Sequence, residues 1–439
     1  MSLFDNMGTT PALAEVFSDA SLVAAMLRFE VALARAEARL GIVPVMAAEA
    51  IAAAAVPGAF DPAEIGRAAH SSGTIAIPLA TLLTERVRAS SPDAAGFVHR
   101  GATSQDVTDT ALVLCLTTAG KLLSSDHERL RLGLRRLSDA HANTVMLGRT
   151  LLQPATPTTF GLKVAGWFGA ITRSGVELEQ AFQEACVLQF GGASGTLAAL
   201  GTEGPAVAAD LGHELDLRVP AAPWHAHRDR LAQLVAACGI YTGALGKVAG
   251  DISLLMQHEV AEAAEPGGGS STMPHKRNPA GCAVVLAAAT RLPGLVASFL
   301  SGMAQEHERG LGNWHAESAT VSAAVQATGS ALAALVTVID TLTVDPVRMR
   351  ANIDSVGGLV YAEAAMMRLS PAIGRPAAER IIATALERTR STGGGFVETL
   401  AADAEVQRAL GPGGLASLDR PEAYLGVAEH FRRRLLGDA

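Results

Sequence analysis

The chain has 439 residues, of which 49% are hydrophobic, 4% aromatic and 18% charged, with a formal net charge of −8. A chain of this length exceeds what one hydrophobic core ordinarily serves, so two or three domains are expected. With so few aromatics the packing rests on Ala, Leu and Val, which favours close-packed helices, and the acidic balance excludes general nucleic-acid binding but not a small anion held in a local basic pocket.

The opening, Met1-Ser2-Leu3-Phe4-Asp5, has no basic stretch followed by an apolar run, so no secretory signal is read there. Cys115, Cys186, Cys238 and Cys282 are far apart and form no CxxC pair, which fits reduced thiols and a cytoplasmic location. Ser21 to Leu40 reads as an amphipathic helix, with Leu22, Met26, Phe29, Leu33 and Leu40 on one stripe and Gly41 to end it. Pro44, Pro57, Pro62, Pro78 and Pro92 then divide the chain into short pieces, an N-terminal helical domain over 1–105.

No proline lies between Pro92 and Pro154 or between Pro157 and Pro205, so long helices are predicted over 106–146 and 158–189. Further long helices are predicted over 227–262, 280–304 and 313–340. Five long antiparallel helices make an all-α central bundle over 106–344, and such helices suit burial of their outer faces against other subunits. Ser318 to Ile339 is uncharged and long enough to span a bilayer. Its Ser, Thr, Gln and Gly content, and the lack of an internal Trp or Tyr, favour instead a central helix buried by others. Shorter, more charged helices near 361–369, 376–390 and 421–436 form a C-terminal helical domain over 345–439.

Polar clusters interrupt this helical texture. In His99-Arg100-Gly101-Ala102-Thr103-Ser104-Gln105-Asp106, the residues Thr103, Ser104 and Asp106 are N-cap types placed before a long helix. The same helix N-terminus, with Arg100 nearby, suits a carboxylate, so capping and anion binding both stand open. In Gly148 to Gly161, Pro154 and Pro157 fit a tight helix–helix turn. Gly191 to Thr196 lacks the lysine of a phosphate loop, and His225 and His227 read as loop histidines.

Gly267 to Pro279 is the most distinctive stretch. Three glycines resist regular structure and two prolines restrict the backbone. Ser270, Ser271 and Asn278 then lie beside the cations Lys276 and Arg277, an arrangement suited to chemistry on a carboxylate, against the alternative of a polar connector. In Gln305 to Glu317, Gly310 and Gly312 break the helix and expose Arg309 among acids and histidines. Glu306-His307-Glu308 lacks the spacing of a metal motif such as HExxH, so solvated charge at a helix junction is the stronger alternative there.

Together the clusters carry a resemblance. Gly269 to Pro279 fills every fixed position of GSSxMPxKxNP, the signature loop of the fumarase/aspartase superfamily. His99 to Asp106 resembles that superfamily's HxGxTSxD segment, and Gly148 to Gly161 resembles GRTHxQxAxPTTFG, with Leu151 standing where the family has histidine. Gln305 to Glu317 and the opening (Leu3 to Asp5, Phe17 to Asp19, Phe29 to Glu37) resemble the family's bacterial 3-carboxy-cis,cis-muconate cycloisomerase branch.

The resemblance implies a three-domain all-helical subunit and a homotetramer with active sites shared between chains. It implies no cofactor, and interconversion of 3-carboxy-cis,cis-muconate with a carboxymuconolactone in protocatechuate breakdown; the absence of a ligand cluster with credible spacing separately predicts that no metal is needed. Ser270 is the implied proton-transfer group, with Lys276 and Asn278 stabilising a dianionic intermediate. His99, Arg100, Thr103, Ser104, Gln105, Thr150, Gln153, Ser271, Met273 and Arg309 are the implied substrate contacts, Arg309 as an anion ligand. Leu151 cannot protonate a leaving amine. That counts against the alternative, a lyase releasing fumarate from adenylosuccinate or a related succinyl adduct.

Overall fold

A computed structural model describes residues 6–269, 273, 276–411 and 413–438. The chain falls into two compact units, each gathered from several stretches. Unit 1 is Met1–Glu128, Arg173–Gly246 and Val284–Ala334; unit 2 is Arg129–Thr172, Lys247–Ala283 and Leu335–Ala439.

The first helices are α1 (Pro11–Val16), α2 (Asp19–Arg39), α3 (Val45–Ala54), α4 (Pro62–Ser72) and α5 (Ala76–Ser90). Ser18 caps α2 by accepting from the Ser21 N–H, and Met26, Phe29 and Leu33 of the predicted stripe are buried. The long helix α6 (Ser104–Ala140) stops before the predicted Met146, because the chain turns into an antiparallel hairpin, β1 (Val145–Thr150) with β2 (Gln153–Thr159). That hairpin replaces the expected helix–helix turn. It is followed by α7 (Phe160–Ala185), α8 (Gly204–Leu215) and α9 (Asp229–Leu255), which ends before the predicted Glu262.

Three two-residue strands come next or close the bundle: β3 (Ala263–Ala264), β4 (Gly268–Gly269) and β5 (Arg277–Asn278). Then follow α10 (Ala280–Ser301), α11 (Asn313–Thr341) and β6 (Thr343–Val344), which pairs with β3. Within unit 1, Gly239 and Gly246 of α9 sit so close to α10 that a Cβ would lie 2.9 Å from Val296 and 2.8 Å from Ala289. Glycine is what lets these helices approach. Among the described residues, four helices, α6, α9, α10 and α11, are by length and composition apolar enough to cross a membrane. The most apolar stretch of α11 is 67% buried, as expected for a central helix, whereas that of α10 is only 22% buried.

Unit 2 ends in α12 (Pro346–Ser355), α13 (Ala362–Ile373), α14 (Arg375–Thr392), α15 (Phe396–Ala401), α16 (Ala404–Leu410) and α17 (Ala428–Leu436). Leu369, Ile381, Ile382, Phe396 and Leu400 belong to a core shared by α13, α14 and α15. Val145 and Leu147 of β1 bury against Ile353 of α12, which seats the hairpin. The fold is all-α, with β structure among the described residues limited to two-stranded ladders and isolated bridges.

Candidate active site

Unit 1 holds the first cluster, at the start of α6. The Thr103 backbone N–H donates to Asp106 Oδ2 at 3.0 Å, so the acid three residues on caps the helix. The hydroxyls of Thr103 and Ser104 are thereby left to accept from Arg309, whose Nη1 and Nη2 lie 2.7 and 3.1 Å away. Arg309 Nε donates to Gln105 Oε1 at 3.3 Å. Of the two roles open from the sequence, capping thus falls to Asp106, and the Thr103 and Ser104 hydroxyls serve Arg309 instead. Arg309 is half-buried, and these partners are neutral oxygens at the positive end of a long helix. Such a guanidinium has charge to offer a carboxylate.

Beneath it lies a buried polar network. Asp106 accepts from the Gly191 and Gly192 N–H groups at 3.0 and 2.9 Å, and faces His225 Nε2 at 2.7 Å. One turn further on, Asp109 receives Arg228 through both Nη atoms (2.7 and 3.1 Å) and Trp314 Nε1 at 3.0 Å. It also accepts from Gln105 and Gln189, each at 3.2 Å. Burial alone would push Asp109 up, but the Arg228 guanidinium and these donors hold its carboxyl below the usual carboxylate range. Arg228 Nε reaches Glu317 Oε2 at 2.8 Å, and there burial prevails over Arg228 and pushes Glu317 up to about 7.

From the sequence, His225 reads as a loop histidine, Glu317 as the end of a polar helix junction, and Arg228 carries no signal. Their partners lie 119, 119 and 89 residues away, so no local pattern marks them. A usable signal was Asp109 itself, an acid inside the apolar run Val107 to Leu116, which must find a partner. Gln105 is buried, with its amide hydrogens on Asp109 and the His225 carbonyl, so it meets Arg309 rather than open space. His99 adopts φ 57° and places Nδ1 2.7 Å from Glu30 Oε1. Burial opposes protonation of this ring, but the Glu30 carboxylate outweighs it and raises the His99 pKa. Arg100 is exposed and lies 5.9 Å over the Phe97 ring.

Unit 2 carries the other two clusters. Thr150 pairs with Gln153, leaving Leu151 and Leu152 as a two-residue turn with φ 51° and 64°. Positive φ at both positions is the type I′ pattern, which suits Asn-Gly and strains leucine. Leu151 is 97% exposed and Leu152 75%, with Thr150 and Gln153 exposed beside them. The stem is firm: Arg149 makes a bidentate pair with buried Glu262 at 2.8 and 2.7 Å, and Asn352 Nδ2 donates to the same acid at 2.8 Å.

The signature loop is closed by pairing of Gly268 with Asn278 and of Gly269 with Arg277. Gly267 has φ 22°, and a Cβ there would lie 2.2 Å from the Asn278 carbonyl oxygen, so the stem requires glycine. Buried Glu265 accepts from the Gly281 N–H at 3.0 Å and so caps α10. Met273 and Lys276 are exposed, and Asn278 is half-buried. Ser270 and Ser271 lie outside the described residues. Among the described residues no group of three His, Cys, Asp or Glu side chains is placed to hold a metal ion.

A model of the lyase family matches residues 6–294, and a model of the adenylosuccinate lyase C-terminus matches residues 358–435. The chain is 44% identical over 440 residues to a 3-carboxy-cis,cis-muconate cycloisomerase of Bradyrhizobium diazoefficiens, covering 97% of this chain and 98% of that protein. It is 39% identical over 440 residues to a nitrosuccinate lyase of Streptomyces davaonensis, covering 98% and 92%. The crystal structure of a 3-carboxy-cis,cis-muconate lactonizing enzyme from Pseudomonas putida matches with a TM-score of 0.94 and 42% identity, over 99% of this chain and 98% of that one.

Proposed function

The chain belongs to the fumarase/aspartase lyase family, and on that footing we propose that it is a cycloisomerase interconverting 3-carboxy-cis,cis-muconate and a carboxymuconolactone in protocatechuate (β-ketoadipate) catabolism. The observation that carries the reading is the likeness, across nearly the whole chain in sequence and fold, to enzymes named for that reaction.

In the lactonising direction, a carboxylate oxygen adds to an alkene carbon and forms the new C–O bond. The π pair moves to the neighbouring carbon and spreads into its carboxylate as a dianion, and that carbon then takes a proton. Ser270 handles this proton, while Lys276 and Asn278 stabilise the dianion. Arg309, with Thr103 and Ser104, holds a carboxylate remote from the reacting bond. In reverse, the leaving group is the lactone's own carboxylate, a stable anion that departs without protonation. Leu151 is therefore tolerable here, whereas a lyase expelling an amine needs an acid at the family's histidine position.

Enzymes of this family are typically multimers. For this chain the reading is a cytoplasmic homotetramer whose sites draw residues from more than one copy. The poorly buried apolar surface of α10 and the exposed leucines of the hairpin tip support it, since both call for cover.

The test offers the purified protein 3-carboxymuconate, adenylosuccinate and nitrosuccinate in parallel. Loss of the diene absorbance with the first, and no fumarate from the other two, is the expected result. Fumarate release from either succinate, with 3-carboxymuconate untouched, would overturn the assignment in favour of a lyase.

A further inference from the structure

Residues 305–312, which carry Arg309, form neither helix nor strand. Besides the Thr103 and Ser104 hydroxyls on Arg309 and the Gly302 carbonyl on Gln305 Nε2, three contacts of this stretch and its exit lead to one buried ion triad in unit 1. At the start, Gln305 Nε2 donates to Glu317 Oε1 at 2.6 Å. Just beyond the end, Trp314 Nε1 donates to Asp109 Oδ1 at 3.0 Å. In the middle, Arg309 Nε meets Gln105 Oε1 at 3.3 Å. The Gln105 amide cannot flip, because its nitrogen serves Asp109 and the His225 carbonyl at 3.2 and 2.9 Å. Arg228 joins the two acids, both Nη atoms on Asp109 and Nε on Glu317.

The geometry assigns Glu317 as a positioning residue for the anion pocket, acting on the substrate through Gln305 and Arg309. Asp109 alone already gives Arg228 a bidentate partner, so the triad does not need a second acid for pairing. Burying that second carboxylate is unfavourable to stability, and apolar replacements of buried ion groups are often neutral or stabilising. What Glu317 adds is an anchor for the first residue of the stretch. Gly310 shows how tightly the anchor sets the path: a Cβ there would lie 1.7 Å from Gln305 Oε1. The amide that Glu317 holds therefore fixes the backbone one residue beyond Arg309. A guanidinium so fixed binds an anion without first being ordered.

The inference rests on the cycloisomerase reading only for its kinetic arm. Its binding arm uses propane-1,2,3-tricarboxylate, titrated calorimetrically into the full-length protein. Gln305→Leu and Glu317→Leu should each weaken probe binding, and raise KM for 3-carboxymuconate, by roughly tenfold with kcat within about twofold, the signature of lost uniform binding. Glu317→Gln should restore affinity to within about threefold of wild type, because Gln305 Oε1 has no partner and its amide can turn to accept from the new one. In a cycle with Arg309→Met, adding Gln305→Leu should cost nothing further, as coupled residues are non-additive. Gln305 is half-buried, so that variant carries the test even where Glu317→Leu does not fold.

Additive losses in the cycle would overturn the proposal. So would Gln305→Leu binding like wild type, or Glu317→Gln as weak as Glu317→Leu. Wild-type protein that does not bind the probe would remove the anion pocket and this inference together. Probe binding with no turnover of 3-carboxymuconate would instead count against the assigned reaction and leave the positioning role standing.

Discussion

The start of α6 and the tip of the β1–β2 hairpin treat their side chains in opposite ways. At the helix start, Asp106 and Asp109 are buried and saturated with donors, and Arg309 is drawn in by Thr103, Ser104 and Gln105. At the tip, two leucines stand exposed in a backbone conformation that disfavours them, and only the stem is tied down, through Arg149 and Glu262. The first region is held in place by its own partners, the kind of preorganisation that suits binding of an anion. The second is displayed, and strain of this kind persists where function requires a particular shape. The polar cluster at the helix start is thus satisfied within the chain, whereas the hairpin tip is left exposed.

Asp109→Ala gives the largest expected effect. Arg228 would keep Glu317 alone, while Trp314 and Gln189 would lose their acceptor. A loss of about 3–5 kcal/mol of unfolding free energy is expected, because a buried charge is left short of partners. Urea denaturation measures it, and a loss below about 1 kcal/mol would mean that the pocket is not over-determined.

The hairpin responds differently. Replacing Leu151-Leu152 with Asn-Gly relieves left-handed strain of about 1 kcal/mol, so thermal stability should hold or rise. Turnover should nevertheless fall at least roughly tenfold, since the displayed apolar surface is lost. Unchanged turnover would erase the contrast, making the tip an ordinary turn with unfavourable residues.

The smallest effect concerns a buried acid that lacks what Asp106 has. Glu37 is fully buried with both carboxylate oxygens unpartnered, and burial pushes it up from 4.5 to about 8. Between those values the folded state holds a proton that the unfolded state has released. The Glu37 contribution to stability should therefore be full below about 4.5 and decline as pH rises toward about 8, with Glu317, raised to about 7, adding to the same slope. Glu37→Gln should flatten the decline in urea midpoints between about pH 5 and about pH 8.5. An unaltered slope would place the titration elsewhere.

Much of this was legible in the sequence, and the gaps have physical causes. Four of the five long helices announce themselves by proline-free stretches, α10 carrying Pro293 inside it, and the capping types before α6 mark its start within two residues of Asp106. The hairpin was not legible because Leu-Leu carries none of the turn chemistry of a type I′ loop, and prolines at 154 and 157 suggested a helix junction. The four clusters were found by the order of their residues, but which side chain caps and which binds needed the Thr103–Asp106 and Thr103–Arg309 geometry. Of the triad, only Asp109 leaves a sequence signal, as an acid inside an apolar run, because the long-range pairing with Arg228 and Glu317 leaves no periodic trace.

Steady-state kinetics of Arg309→Met and Ser270→Ala, measured together on 3-carboxymuconate, test the central division between recognition and chemistry most directly. Arg309→Met should raise KM about a hundredfold, near 2.7 kcal/mol at 1.36 kcal/mol per decade, with kcat within about threefold. Ser270→Ala should do the reverse, lowering kcat a hundredfold or more by the same measure while KM stays nearly constant. If Arg309→Met leaves KM unchanged, or Ser270→Ala leaves kcat unchanged, the roles assigned to the helix start and the signature loop are contradicted.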